Sequence, residues 1–210
     1  MPPARLTTLG AIEAATWDEL QRAGRDKHHP WRVAVLATLA LAPVGEAAAT
    51  EVAAGDAPPG EEPFPTHGVD ARCVLLREVD REHRTIVFFA DARSPKMRQI
   101  EADARGTLVV WSNELSWQVR LSVRLEVALS GLAVSSRWAR LKMTPAAQDY
   151  LSPLPPGSPL DDPHPAPERA TREHFGVVSA QVRRMDWTEL HADGHRRAVF
   201  DAAGARWVVP

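Results

Sequence analysis

Arg72-Cys73-Val74-Leu75-Leu76-Arg77 is followed, across the charged turn Asp80-Arg81-Glu82-His83, by Ile86-Val87-Phe88-Phe89-Ala90-Asp91-Ala92-Arg93-Ser94-Pro95-Lys96 and then by Gln99-Ile100-Glu101. The two apolar runs read as strands, over Arg72–Val79 and Thr85–Asp91, each closed by cations. Ser94-Pro95 reads as a helix start, with proline at the first helical position where its missing N–H costs nothing; the helix is expected to reach about Asp103. That start is basic, which is backwards for a bare helix, because its N-terminus carries a partial positive charge and prefers Asp or Glu. Arg93, Lys96 and Arg98 crowd the place where backbone N–H groups point outward unpaired. The pattern makes sense if an anion, such as a phosphate, sits there.

Working outward, strand signals dominate. Thr107–Trp111 is a short strand. Trp117 to Leu129 alternates, with Val119, Leu121, Val123, Leu125 and Val127 on one face and Gln118, Arg120, Ser122, Arg124 and Glu126 on the other. That is the signature of a half-buried antiparallel strand. Gly176–Leu190, Arg196–Asp201 and Arg206–Val209 read as closing strands, the last two joined by a turn at Ala202-Ala203-Gly204-Ala205. Val33–Leu41 is nearly all apolar, which suits a strand buried on both faces. Thr16-Trp17-Asp18-Glu19 reads as a capping box opening a helix over about 16–27, and Ser135 reads as the cap of a helix carrying Trp138 and Leu141. Pro43 to Asp70 has no period and is rich in Ala, Gly, Glu and Pro; it reads as a flexible surface insertion over about 43–70. Many strands, few short helices and no βαβ rhythm predict a mainly β chain, a barrel with a few peripheral helices, as a single domain over 1–210.

The 210 residues carry a formal net charge of -2, which gives no global case for binding nucleic acid or an anionic membrane. Cys73 is the only cysteine, so no intrachain disulfide or Cys-rich metal site is available. No apolar run approaches the ~20 residues that span a bilayer, and no signal peptide is read, so a cytoplasmic location is expected. The histidines show no metal-ligand spacing, and no Ser/His/Asp order stands out. Seven tryptophans against one tyrosine give large flat surfaces suited to interfaces and to planar cofactors.

The segment from Arg72 to Gln118 resembles the FMN-binding core of the pyridoxamine 5′-phosphate oxidase-related proteins, with weaker likeness at Trp138, Tyr150 and Trp187 through Arg197. The resemblance implies an FMN-binding split barrel, usually a homodimer, acting on a small molecule. Arg72 and Lys96, with Ser94, are implied to hold the FMN phosphate, as fixed donors must meet a dianion and arginine can do so bidentately. Val74, Leu75, Phe89 and Ala90 are implied to run along the flavin, the last two through their backbone. Arg77 matches a basic position on the substrate side of the flavin. Arg93 faces either phosphate or solvent. Gln118 is implied to bond the flavin's carbonyl edge, since an amide both donates and accepts. Trp187 and Arg197 are implied to approach FMN from a partner subunit, with Arg196 competing for the second place. The substrate half departs from the family: the helix offers Trp138, Arg140 and Lys142, and His195-Arg196-Arg197-Ala198 lacks the family's Arg-x-His. The resemblance therefore implies FMN binding and a flavin-dependent oxidoreductase, and argues against efficient oxidation of pyridoxamine phosphate. The alternatives are a flavin carrier or sensor without turnover, and a split barrel using haem, against which the missing histidine constellation weighs.

Overall fold

Period-two alternation builds nearly the whole architecture. The computed structural model describes residues 5–40, 68–159 and 173–210. The helix α1 (Leu9–Arg25) leads through a 3-10 turn at Pro30–Arg32 into β1 (Val33–Ala40). The strands β2 (Gly68–Leu75), β3 (Glu78–Asp80) and β4 (Thr85–Asp91) follow, then the helix α2 (Pro95–Ala102), β5 (Arg105–Ser112) and β6 (Trp117–Ala128). After α3 (Leu132–Leu141) and a 3-10 turn at Pro145–Tyr150 come β7 (Phe175–Glu189), β8 (Arg196–Asp201) and β9 (Gly204–Val208).

The strands form one antiparallel sheet in the order β2-β1-β5-β6-β7-β4-β3, with β8 and β9 continuing from β7. The sheet curls until β2 lies against β4, yet no ladder joins them. At the end of β2 the chain turns across to β4: Leu76 N still donates to the Arg32 carbonyl beside β1 at 2.9 Å, and Arg77 N donates to the Val87 carbonyl of β4 at 2.8 Å. The expected split barrel is the observed fold. Its interior is filled by Leu36, Phe88, Leu108, Val119, Leu121, Trp187 and their neighbours, with Ile12, Trp17 and Leu20 of α1 packed against it. A second cluster, under α3, gathers Val87, Val134, Leu141, Tyr150, Phe175 and Val177.

Several sequence expectations are corrected. Helix α1 starts a full two turns earlier than about 16, capped by Thr8, whose side chain accepts from Ala11 N at 3.2 Å. Thr16 is inside the helix, its hydroxyl bonding back to the Ile12 carbonyl at 2.8 Å, and Glu19 turns inward to His29 at 2.9 Å instead of closing a capping box. Helix α3 is capped by Gly131, and Ser135 lies within it. The strand read over Arg72–Val79 is broken at Leu76-Arg77 into β2 and β3. Residues 68–70 of the supposed insertion belong to β2; its remainder, 43–67, lies outside the described residues.

β1 is not buried on both faces. Ala34, Leu36 and Thr38 point inward, while Val33 and Val35 are 48% and 41% exposed. Register places Val33 beside Leu75, Val35 beside Cys73, Ala37 beside Ala71 and Leu39 beside Val69. The outer side of the β1–β2 pair is thus uniformly apolar and left uncovered by the other described residues. Among the described residues no helix is long and apolar enough to cross a membrane.

Candidate functional site

The N-terminus of α2 gathers most of the predicted anion-binding residues. Ser94 caps the helix from an extended conformation, and Pro95 takes the first helical position. The Ser94 hydroxyl donates to the Asp91 carbonyl at 2.7 Å and accepts from Lys96 Nζ at 3.2 Å. Arg72, on the inward side of β2, reaches the same place. Its Nη2 donates to Gln99 Oε1 at 2.8 Å and pairs with Asp70, while Nη1 bonds Thr38 Oγ1 at 2.5 Å. Gln99 Nε2 in turn donates to Asp70 Oδ2 at 2.8 Å. This bond and Arg72 together hold the Asp70 carboxyl below its ordinary pKa, against the opposing effect of desolvation. Gln99 and Thr38 were not foreseen as site residues. Gln99 stands three places after Lys96, so the helix period puts both on one side.

Lys96 carries the clearest electrostatic signal. Burial, and then the like charge of Arg72, lower its pKa; Asp91 and Asp70 offset this in part. Two cations are thus held together in a partly desolvated corner at a helix N-terminus, where backbone N–H groups add to the positive field. Arg93 is not part of that pair. It grips Asp91 with Nε and Nη2 at 3.0 and 2.7 Å and also donates to the Ser152 and Pro153 carbonyls, which makes it a tether for the loop.

The seam beside this corner offers backbone. β3 pairs with β4 only at Thr85–Val87, and the Val87 carbonyl, turned away from β7, accepts from Arg77 N in the link between β2 and β3. The strand period turns the N–H and C=O of Phe89 to the same side, with no ladder opposite, whereas those of Ala90 turn toward β7. Val74 is buried in the interior, and Leu75 points outward, 40% exposed. Arg77 lies at the end of the seam with its Cζ 5.6 Å from the centre of the Phe89 ring.

The remaining predicted residues lie elsewhere in the single chain. Gln118 is on the outer face of β6, where register sets it between Trp111 and Thr188, and Thr188 beside Arg197. Arg197 forks onto Asp186 with both distances 2.8 Å, and Arg120 joins the same carboxylate at 2.6 Å. This row and the Arg72–Lys96 corner are on opposite faces of the sheet with β1 and β5 between them. Trp187 is fully buried, packed edge-on to Trp117 at 5.4 Å, and so lies on the side of β7 away from Arg197. Arg196 covers it from above, 5.7 Å from its ring, while bound to Glu189. In one chain, then, Trp187 serves as core and only Arg197 presents itself outward. Among the described residues no group of His, Cys, Asp and Glu is placed to hold a metal ion.

No protein-family model matches the chain. A segment of 56 residues is 46% identical to the pyridoxine/pyridoxamine 5′-phosphate oxidase of Thermosynechococcus vestitus; it covers 27% of this chain and 26% of that one, so the chain spans about a quarter of this relative. Solved structures match over nearly the full length. One is a pyridoxamine 5′-phosphate oxidase-related, FMN-binding protein from Nostoc punctiforme, with a TM-score of 0.62, 18% identity, and coverage of 98% of this chain and 100% of that one. Another is PhzG from Burkholderia lata in complex with tetrahydrophenazine-1-carboxylic acid, with a TM-score of 0.61, 15% identity, and coverage of 100% and 94%.

Proposed function

We propose that this chain, which fold and matched segment group with the pyridoxamine 5′-phosphate oxidase-related proteins, binds FMN and serves as a flavin-dependent oxidoreductase for a small molecule. The observation that carries this reading is the Lys96–Arg72 pair. A lysine whose charge is disfavoured by burial and by a neighbouring guanidinium is poorly placed unless an anion completes the site. A phosphate monoester would find there Lys96, Arg72, Ser94 and the first N–H groups of α2. The residues present therefore fit the group. Phe89, with its backbone edge on the open seam, would face the polar edge of the ring system. FMN bound there would supply the electron transfer, and the protein binding, orientation and field. Arg140 and Lys142 are exposed on α3, and Trp138 packs on Phe175, so α3 brings no cluster of cations toward the seam. This supports a substrate other than pyridoxamine phosphate.

The working unit in this reading is a homodimer. The apolar outer side of β1–β2 needs a cover, and the Gln118–Arg197 row reaches a flavin only if a second copy brings it to the Arg72–Lys96 corner. A two-fold pair needs only one self-complementary surface.

Purified protein should show absorption near about 370 and 450 nm and should bind FMN far more tightly than riboflavin. Equal affinity for the two would remove the phosphate argument. Reduction of the bound flavin by a nicotinamide donor, or oxygen-dependent turnover of a substrate, would distinguish an oxidoreductase from a carrier or sensor.

A further inference from the structure

The two cations at the start of α2 are engaged to different degrees. Lys96 has the Ser94 hydroxyl as its acceptor. Arg72 is filled from within the chain. Its Nη1 donates to Thr38 Oγ1, while its Nη2 donates to Gln99 Oε1 at 2.8 Å and pairs with the Asp70 carboxylate. Gln99 spans this ion pair, because its Nε2 donates to Asp70 Oδ2 at 2.8 Å. A phosphate that takes Arg72 must therefore replace an acceptor already in place.

Of the three acceptors, Asp70 is the one in conflict with a phosphate. Thr38 and Gln99 are neutral and carry donors as well as acceptors, so they can turn to serve Arg72 and a ligand together. Asp70 is ionised: the Gln99 bond, then Arg72 and Lys96, hold its pKa low against desolvation. A carboxylate offers a guanidinium the same kind of charged oxygen acceptor that a phosphate does, and it repels a second anion. With Asp70 in place, two cations and one anion meet the ligand. With Asp70 turned out, both positive charges are left for the phosphate, which is largely a dianion at neutral pH. Asp91, the other carboxylate of the corner, stays outside this balance, buried and forked by Arg93. β1 brings no charge, since Thr38 is the register neighbour of Asp70. Asp70 is also the member of the ion pair free to leave. Its side chain is 44% exposed, against 19% for Arg72, and β2 is an edge strand with no ladder on its far side among the described residues.

We propose that Asp70 is an internal competitor for the ligand's phosphate: its carboxylate takes the place on Arg72 that the phosphate needs, phosphate binding turns it out into solvent, and FMN is held as an exchangeable ligand. That the displacing phosphate belongs to FMN rests on the function proposed above; the competition at Arg72 does not.

The test compares Asp70→Asn with the unaltered protein, both freed of flavin. Asparagine keeps the size and a carbonyl acceptor and removes the charge. FMN and riboflavin are titrated by fluorescence and inorganic phosphate by calorimetry. FMN and inorganic phosphate are expected to bind the variant about 5- to 50-fold more tightly, with riboflavin unchanged and more FMN surviving a desalting column. The flavin-free variant, having lost an ion pair, should melt no higher than the unaltered protein. Tighter binding without a gain in melting temperature is the mark of competition. Binding and melting temperature falling together would make Asp70 a structural residue and overturn the proposal, as would unchanged affinity for FMN and phosphate. Asp70→Ser gives the same comparison if the asparagine variant does not fold. Tighter phosphate binding in a variant that does not prefer FMN to riboflavin would remove the FMN reading and keep the competition. A preference for FMN in both proteins, with no gain in the variant, would do the reverse.

Discussion

Lys96→Met should separate what is good for the fold from what is good for the ligand. The ammonium is partly desolvated, faces Arg72, and has the Ser94 hydroxyl at 3.2 Å as its acceptor. Its pKa is lowered on folding, so the folded chain holds this proton less tightly than the unfolded chain. The resulting penalty is complete below the folded pKa and is relieved as pH rises from there toward the ordinary lysine value. Methionine keeps the stem's packing and removes the penalty, so the apo-variant should melt no lower than the unaltered apo-protein at neutral pH. The difference between them should shift in favour of the unaltered protein toward alkaline pH. With FMN the sign reverses. Losing one charge-assisted bond to phosphate costs about 1.5–3 kcal/mol, or roughly 10- to 150-fold in affinity, while riboflavin binding should hardly change. Thermal melts of apo-protein across pH, with fluorescence titrations of FMN and riboflavin, give both quantities. A variant that melts far below the unaltered protein, or that keeps its FMN-to-riboflavin ratio, would refute the reasoning.

Val35→Lys places a charge in the apolar outer face of β1–β2; sedimentation should show the dimer lost and, with it, tight FMN binding. Gly176→Ala would put a Cβ 2.8 Å from Met97 Cε, 3.0 Å from Leu129 Cδ2 and 3.3 Å from the Ala90 carbonyl. A thermal melt should register a loss of about 1–3 kcal/mol from this overpacking, and FMN titration a weaker site, since β4 is pushed. Asp186→Asn tests the outer cation row. Burial opposes the charge on Asp186, but hydrogen bonds from Arg197 and Arg120 outweigh it and hold the pKa low. The stabilisation is present above the ordinary aspartate pKa and is lost as pH falls through the lowered one, so the variant's melting temperature should drop less on acidification.

Strands were legible where one face meets the core and the other meets water. β6 shows this best: Val119, Leu121, Val123 and Leu125 are buried as their alternation requires. The same logic misled at β1, because a continuous apolar run does not say whether its second face is covered by the same chain. The capping-box pattern at Thr16 failed for a related reason. Glu19 is needed by His29, and a residue bonded in tertiary structure is not free to close a helix end. The gathering of Arg72, Ser94 and Lys96 at the start of α2 was readable because its residues come from adjacent segments. The positions of Trp187 and Arg197 were not, since whether two residues ten places apart share a side depends on a hairpin register that composition does not encode. Nothing local in Arg77-Glu78 announces that Glu78 will be taken by Arg137 of α3 while Arg77 lies over Phe89.

The ladder between β4 and β7 joins positions far apart in the chain, 96 residues at Thr85 and Gln181, and among the described residues it is the only ladder β4 makes besides that with the three-residue β3. Closing so long a span is entropically expensive and slow compared with forming a helix or a hairpin. During synthesis α2 can therefore settle on β1 and β6, but β4 is carried without its long partner strand until β7 has been released. A ribosome-stalled chain ending before Phe175 should fail to retain flavin, and one extended past Glu189 should begin to do so. Completion of the seam beside the Arg72–Lys96 corner is thus a late folding event even though every residue of that corner is made in the first half of translation.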